Sequence, residues 1–446
     1  MTHPALRRLG ALPLGALLAF GCVLSARPAF ALQPVTEFLQ HAKTWNPQNR
    51  AAHATTSQRD AEVGVSRGNY LPSFAANGIY TRNQYEVTTG SLFPTGASPA
   101  GTPSIPTIII QPQNQLDANL TLTVPIISVA NWDRRAAAEA TLAGARADEA
   151  NADLAVEKGV LRDYYTLLGD EAVLLSAVKN VEIAQHNVKL AHDRKDSGTG
   201  SELDVQRAVA DQAKAEQSVT AAQLAVTNTR RDLFSLSGLP PEPASGFPED
   251  DLHEEQPLER WTGKMEAVPS VVSADAGRKT AEENVKTVKA ALLPTVAATA
   301  EEKFTNATAF VGGHTAVYLL QLTASWKLDT TFGPQLRAQN ASAAAARANE
   351  DRARQAAEDA VFRDWQQIHA DIESARSSRS QVAATKLAAS LAEDRYESGV
   401  ATQLDVLQAR QDAFSADVSR IQADADLAYA RLALRVDAGH LVKETR

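Results

Sequence analysis

The chain has 446 residues, a formal net charge of −9 at neutral pH, one cysteine and only 6% aromatic residues. This length is enough for two or three ordinary domains or for one extended structure. The scarcity of aromatic residues favours slender, closely packed helices over a thick globular core, and a lone cysteine excludes a disulfide framework.

The first 31 residues have the pattern of a secretory signal peptide. Two arginines precede an apolar run from Leu9 to Leu24, and Ala29-Phe30-Ala31 forms a small-x-small cleavage site. We therefore expect a mature chain that begins near Leu32 and contains no cysteine. Two alternatives stay open at this point: an uncleaved membrane anchor, and a lipoprotein acylated at Cys22.

Removal of this segment changes the formal charge from −9 to −12, because the segment holds three arginines and no acidic residue. An exported protein with this acidic balance is a poor binder of nucleic acid, so no nucleic-acid partner is expected.

The remainder of the chain contains the same pattern twice. When Gly198 is placed over Gly399, Leu203-Asp204-Val205 falls on Leu404-Asp405-Val406. A repeat of this length predicts one duplicated structural unit rather than a solenoid of short repeats. The predicted organisation is a signal peptide (1–31), a first repeat (32–238), a linker (239–268), a second repeat (269–438) and a C-terminal tail (439–446).

Each repeat is predicted to begin with a helical lead-in that a Leu-Pro dipeptide ends, because proline disfavours helix in the residue before it. Two strands follow, then a long helix, a glycine turn and a second helix. The lead-ins are predicted over Val35–Asn69 and Pro269–Ala291. The strands are predicted over Ser73–Tyr85, Leu116–Ile126, Thr295–Phe304 and Leu320–Asp329, with a surface loop over Gly90–Gln115.

Two of these strands alternate apolar and polar residues, which indicates one face in lipid and one in water. Their length suits the ~9–11 residues of a tilted membrane strand. Four strands are too few to close a barrel, and open edges are not tolerated in lipid, so we expect several copies of the chain to share one barrel. The residues predicted to face lipid are Leu120, Leu122, Val124, Leu322, Ala324 and Trp326. A sheet packed on a soluble core is the alternative interpretation.

No proline occurs between Val129 and Lys195 or between Gln335 and Ser398. At ~1.5 Å per residue, each stretch predicts a helix about 100 Å long. The second returning helix carries two adjacent apolar series, which is typical of a ring of helices but also of a wide face in a soluble bundle. In the first returning helix one apolar series keeps the heptad spacing.

The glycine turns connect each long helix to its returning helix. Gly198 and Gly399 are predicted as left-handed C-caps. Ser201 and Thr402 are predicted as N-caps, with Asp204 and Asp405 in the first turn that follows, where the helix dipole favours a carboxylate.

The motif Arg395-Tyr396-Glu397-Ser398-Gly399, followed by Leu404-Asp405-Val406-Leu407, resembles the TolC-like outer-membrane efflux protein family, or outer membrane factors. Together with Asn46-Pro47 in the first lead-in, the Leu-Pro strand starts and both hairpins, the resemblance covers nearly all of the mature chain. It implies a mainly α fold with a membrane β-barrel part, assembled as a trimeric α/β barrel channel-tunnel. Each subunit of the homotrimer would give four strands to a twelve-stranded barrel, and its helices would form a tube through the periplasm.

The resemblance also implies roles for residues at the tips of the hairpins. Those implied to dock a periplasmic adaptor are Gly198, Thr199, Gly399 and Val400. In the family, rings of aspartate narrow the closed entrance, and Asp405 matches one of these positions. The family has a second acid three residues later, where this chain has Gln408, so the inner ring is expected to be weaker. Asp204 and Tyr396 match two members of a closed-state latch, whereas Ala401 stands where the family has an arginine.

The leading hypothesis is a passive outer-membrane duct that works with a periplasmic adaptor and an inner-membrane transporter. Drugs, metals and secreted proteins are all compatible with this architecture as cargo. The alternative is a periplasmic coiled-coil structural or adaptor protein. No nucleophile elbow, P-loop, HExxH or CxxC motif is present and the histidines are scattered, so no enzyme activity, cofactor or metal site is expected.

Overall fold

The structure is a computed structural model that describes residues 32–88, 108–243, 247, 250–308, 313–327 and 329–439. The predicted signal peptide with Cys22, and the predicted tail beyond residue 439, lie outside the described residues.

The first lead-in is two helices rather than the single helix predicted from the sequence. Helix α1 spans Val35–Trp45 and helix α2 spans Pro47–Gly68. Between them Asn46 is extended, because a residue before proline is disfavoured in the helical region, and its side chain accepts a hydrogen bond from the Gln48 amide. The interruption therefore has a local cause that the sequence contains.

The described strands form a four-stranded antiparallel sheet and a separate two-stranded ribbon. They are β1 (Ser73–Arg82), β2 (Val87–Thr88), β3 (Ile109–Gln111), β4 (Asn114–Ile127), β5 (Thr295–Thr305) and β6 (Ala316–Ser325). The order in the sheet is β1-β4-β5-β6, so the strand pair of the first repeat lies beside that of the second. The ribbon pairs β2 with β3, and the predicted loop over Gly90–Gln115 is therefore wrong for the described end of that segment.

Strand β6 lies four residues earlier than the sequence predicts, since it covers Ala316–Ser325 instead of Leu320–Asp329. The pairing with β5 ends where Thr295 meets Ser325. Beyond that point Asp329 accepts a hydrogen bond from the Thr331 amide at the start of the next helix. The partner strand, rather than the alternating pattern, thus determines where β6 ends.

The remaining helices form two long hairpins, a short helix in the linker and the lead-in of the second repeat. They are α3 (Val129–Asp196), α4 (Glu202–Ser237), α5 (Leu258–Thr262), α6 (Pro269–Ala290), α7 (Phe332–Glu397) and α8 (Gln403–Asp437). The 68 residues of α3 and the 66 of α7 confirm the two predicted long helices. At ~1.5 Å per residue, each places its hairpin tip about 100 Å from the sheet.

Helix α3 has neighbouring helices on two of its sides. Near the sheet, α3 packs between α2 and α6, and α6 in turn packs against α7. Towards the tip, α3 packs between α4 and α8. The described helices therefore form a wall of adjacent helices, with α8 in contact with both α3 and α7. The contacts of α8 with both α3 and α7 account for its two apolar series.

The apolar core is concentrated midway along the wall, where the lead-in, long and returning helices meet. One cluster is centred on Phe38, Leu161 and Leu233, and a second on Ile368 and Leu427. Near the first tip the core shrinks to a small cluster that includes Ala191, Val205 and Ala208. The tips are consequently held by few apolar contacts. No helix in the described part of the chain is long and apolar enough to cross a membrane.

Candidate functional site at the hairpin tips and on the sheet

The first tip is a glycine turn closed by backbone hydrogen bonds. Gly198 has φ +76°, a left-handed conformation that glycine adopts without steric cost. The amides of Thr199 and Gly200 both donate to the carbonyl of Arg194 at 3.0 Å. Ser201 then begins α4 with a capping box, in which its hydroxyl accepts from the Asp204 amide and the Asp204 carboxylate accepts from the Ser201 amide. The predicted caps are confirmed.

The second tip repeats this geometry at the equivalent positions. Gly399 has φ +78°, and the amides of Val400 and Ala401 donate to the carbonyl of Arg395 at 2.8 and 3.1 Å. Thr402 and Asp405 form the matching capping box at the start of α8. Side chains at both turns point into solvent, and Val400 is 70% exposed, so these residues are accessible to a partner.

The Asp405 carboxylate is exposed and accepts hydrogen bonds from the amide and the hydroxyl of Thr402 at 2.8 and 2.7 Å. These hydrogen bonds lower the pKa of Asp405 below its usual value, so the group carries a negative charge at neutral pH. Gln408 lies exposed three residues further along α8. The tip therefore presents a fixed negative charge followed by a neutral amide.

The structure does not bring Asp204 and Tyr396 together among the described contacts. The Asp204 carboxylate is engaged by Ser201 of its own turn, with Arg207 at 4.0 Å. Tyr396 is only 7% exposed and is covered instead by Arg194, whose guanidinium carbon lies 4.0 Å from the ring centroid. Sequence reasoning missed Arg194; the available signal was that Arg194 and Arg395 occupy equivalent positions in the two turns.

The register of the sheet puts the residues predicted to face lipid on one common face. Leu122 lies opposite Ala300, which lies opposite Leu320, and Val124 lies opposite Ala298. Ala298 in turn pairs with Leu322, so the apolar row is continuous across three strands. The remaining predicted positions are Leu120 and Ala324, which are on this face, and Trp326, which follows the end of β6 and donates its indole N–H to the Leu292 carbonyl.

One acidic residue interrupts the apolar face. Glu302 lies directly opposite Leu120 on β4 and Tyr318 on β6, whereas Glu301 points to the other face of the sheet because successive strand residues alternate. The opposite face carries Asp117 and Asn119, each with one buried side-chain oxygen that lacks a hydrogen-bond partner within the described residues. The two faces thus differ in chemistry, as expected for a sheet between lipid and water.

The described residues contain one group of side chains with metal-ligand spacing: Asp250, Asp251 and His253, in the linker. Both Asp250 oxygens accept hydrogen bonds from Arg431 of α8, at 2.9 and 3.0 Å. Arg431 also donates to Glu255 at 2.7 Å. The guanidinium already neutralises these carboxylates, so the geometry is that of an ion-pair network that fastens the linker to α8.

The combination of a four-stranded sheet with one apolar face and two long helical hairpins defines the class of protein: this is the channel-tunnel fold of outer-membrane channels. The structure of the Campylobacter jejuni CmeC outer membrane channel superposes with a TM-score of 0.75 at 15% identity, over 98% of this chain and 94% of that chain. A membrane protein from Pseudomonas aeruginosa gives a TM-score of 0.77 at 16% identity, over 92% and 95% of the two chains.

The sequence comparisons then identify the family. The Outer membrane efflux protein family matches residues 38–239 and 266–440, and the chain belongs to this family. A curated relative, the outer membrane efflux protein BepC of Brucella suis biovar 1 (strain 1330), is 25% identical over 269 residues. That alignment covers 60% of this chain and 59% of BepC. Family membership assigns the sheet to the outer membrane and the helical part to the periplasm.

Proposed function

We propose that this protein is the passive outer-membrane duct of a tripartite efflux or type I secretion system. In this proposal three copies form a twelve-stranded barrel continuous with a periplasmic tube, and the hairpin tips form its gated entrance. A periplasmic adaptor docks on the tips and an inner-membrane transporter supplies the energy. The chain itself performs no chemical reaction.

The observation that carries the proposal is the sheet with its two edge strands. Strands β1 and β6 each have a single neighbour within the described sheet. An unpaired edge leaves backbone N–H and C=O groups without partners, and each such group costs several kcal/mol in lipid. Pairing of β6 with β1 of another copy removes both edges, and closure of a ring by several copies completes the barrel.

The tips support the proposed entrance because they lie about 100 Å from the sheet along α3 and α7, far enough to reach across much of a periplasm. They are exposed, and the apolar core thins towards the first tip. A segment with few buried contacts is the part of a protein that opens at low cost. These features support the proposal that a partner docked on the turns changes the aperture.

A periplasmic spacer or adaptor is the second candidate function, favoured only by the helical hairpins. A water-soluble spacer does not require a continuous apolar face across β4, β5 and β6. Extraction separates the two: a duct requires detergent, whereas a spacer without a lipid anchor is released by salt or urea washes.

Crosslinking in living cells tests the proposed function directly. Ser398 is exposed beside the second tip, and the Ser398→Cys variant with a thiol-reactive crosslinker should capture a periplasmic adaptor. Asp394→Cys, one turn earlier on α7 and also exposed, serves as a position-matched control that should be captured less. Labelling of Ser398→Cys by a membrane-impermeant reagent from outside the cell would reverse the topology and contradict the proposal.

A further inference from the structure

Among the described residues, the hydrogen bonds between the two hairpins that lie nearest the tips are made by one side chain, that of Arg194. Its Nη2 atom donates hydrogen bonds to the carbonyls of Tyr396 at 2.7 Å and of Glu397 at 3.0 Å. The same guanidinium lies over the Tyr396 ring, which is buried although the residues next to it are exposed. Arg194 belongs to the first hairpin, and its partners belong to the second.

The chemistry of this contact is favourable on both of its sides. The carbonyls of Tyr396 and Glu397 are at the C-terminal end of α7, where unsatisfied acceptors and the helix dipole attract a cation. The face of an aromatic ring attracts a guanidinium as well. Arg194 thus adds a side-chain cap to the end of α7, where the Tyr396 carbonyl also accepts from the Gly399 amide of its own turn.

The backbone of Arg194 has a different task in the first turn, where its carbonyl accepts from the amides of Thr199 and Gly200. One residue therefore closes its own turn with the backbone and holds the neighbouring hairpin with the side chain. The next polar contacts between the hairpins lie further from the tips: Arg410 with the Ile183 carbonyl at 3.4 Å, and Ser176 with Asp417 at 2.7 Å.

The duplication shows that this contact is specific to one of the two equivalent arginines. Arg395 occupies the same place in the second turn, and its carbonyl closes that turn in the same way. Its side chain is exposed and makes no hydrogen bond or ion pair within the described part of the chain. Where the second repeat has Tyr396, the first has Lys195, which pairs with Glu202 of its own hairpin at 2.6 Å.

We propose that Arg194 is the clasp that holds the two hairpin tips of one subunit together and keeps the entrance closed. The proposal rests on the proposed duct function, because a clasp has meaning only for a gated entrance. It also explains how the tips are joined although Ala401 offers no polar side chain. Displacement of the guanidinium from Tyr396, without any change in the two turns themselves, frees the second hairpin to move away from the first.

The test is the conductance of the purified full-length protein in planar lipid bilayers, with Arg395→Ala as the matched control for Arg194→Ala. Loss of the two hydrogen bonds and the ring contact should raise the open-to-closed ratio by about tenfold in Arg194→Ala. Arg194→Lys keeps the charge but loses the planar guanidinium that lies over the Tyr396 ring, so its open-to-closed ratio should fall between those of Arg194→Ala and the wild type. Arg395→Ala should behave as the wild type does.

Two further measurements separate a clasp from a structural role. The thermal unfolding midpoint of Arg194→Ala should equal that of Arg395→Ala, because the contact is at the tip and outside the core. Tyr396→Leu should open the channel as Arg194→Ala does, and the double variant should open it no further, since both changes remove the same contact. If Arg194→Ala fails to assemble, the open-to-closed ratios of Arg194→Lys and Tyr396→Leu test the clasp instead.

The outcomes distinguish this proposal from the one it rests on. A wild-type channel that is mostly closed, with Arg194→Ala equally closed, overturns the clasp and leaves the duct intact. A wild-type protein that forms no channel in bilayers overturns the duct and the clasp with it. Equal opening by Arg194→Ala and Arg395→Ala also overturns the clasp, because it attributes the effect to tip charge in general.

Discussion

The indole of Trp45 lies directly against the backbone of Gly238, so that a Cβ atom built on Gly238 would overlap the ring. Gly238 ends α4 in the left-handed conformation, with φ +71°. Nearby, the Asn46 side chain donates to the Leu236 carbonyl. The first lead-in is thus fastened to the end of the first hairpin by a contact that only glycine permits.

Gly238→Ala should destabilise the protein by about 1–3 kcal/mol, since the substitution combines a strained backbone conformation with overlap against Trp45. Its control is Gly277→Ala within α6, where a Cβ meets nothing within 4 Å. That change should stabilise the protein by about 0.5–1 kcal/mol, because glycine weakens a helix. Thermal unfolding of the two variants checks the pair. Adding Trp45→Ala to Gly238→Ala should restore part of the loss, and no recovery would show that overlap is not the cause.

Gly399→Pro should abolish adaptor capture at the second tip while leaving the assembled protein intact. Proline fixes φ near −65° and removes the amide, so it suits neither the φ of +78° nor the hydrogen bond from the Gly399 amide to the Tyr396 carbonyl. Gly399→Ala is the milder comparison, because a Cβ there meets nothing within 4 Å and only the backbone is strained. Crosslinking through Ser398→Cys measures the effect. Undiminished capture in Gly399→Pro would show that the turn is not part of the docking surface.

Asp405→Asn should reduce the preference of the channel for cations, because it removes a fixed charge at the entrance while keeping an oxygen for the cap. The hydrogen bonds from Thr402 lower the pKa of Asp405. Its charge is therefore retained as the pH falls through the usual carboxyl range, and the wild-type preference should persist there. Reversal potentials in a salt gradient give the preference, with Asp204→Asn in the other turn as the comparison. Unchanged selectivity would show that Asp405 acts only as a helix cap.

Asp364 should make the protein less stable as the pH rises from about 4 to about 7. Burial, aided by the nearby Asp437 carboxylate, raises the pKa of Asp364 to about 7. Lys158 lies 2.7 Å from Asp437 but 3.7 Å from Asp364. Because the folded pKa is above the unfolded one, the stabilising proton is fully present below the unfolded pKa and is lost as the pH passes the folded pKa.

Asp364→Asn is the test of this relationship. The variant cannot ionise, so its unfolding midpoint at pH 8 should exceed that of the wild type, and the difference should shrink towards pH 5. The cost of the charged form is of the order of 1–4 kcal/mol. Asp359→Asn, at an exposed position of the same helix, controls for the loss of one negative charge. A pH dependence that survives in Asp364→Asn would place its origin elsewhere.

Leu122→Arg should impair assembly into the membrane, because an arginine on the lipid face near the middle of the bilayer costs about 2–4 kcal/mol. Thr123→Arg, the next residue on the same strand, points to the opposite face and should be tolerated better. Detergent-resistant assembly in the outer-membrane fraction gives the comparison. Equal assembly of the two variants would mean that the face carrying Leu122 is not in lipid.

Features that depend on neighbours along the chain could be predicted from the sequence. The turns are an example: Gly198 and Gly399 need a left-handed conformation, and Ser201 and Thr402 cap the helices that follow. The faces of the strands are another, because alternation assigns Leu120 and Leu122 to one side regardless of what covers it. The long helices follow in the same way from the absence of proline over more than sixty residues.

The features that only the tertiary structure decided depend on partners that are distant in sequence. Strand β6 ends at Ser325 because β5 begins at Thr295, although the alternating pattern continues beyond it. Arg194 and Arg395 are equivalent in the repeat, yet among the described residues Arg194 reaches a tyrosine ring and two helix-end carbonyls, whereas the Arg395 side chain makes no such contact. Periodicity, caps and turns are local properties that a sequence contains directly, whereas the end of a strand and the partner of a guanidinium are set by distances that exist only after the chain has packed.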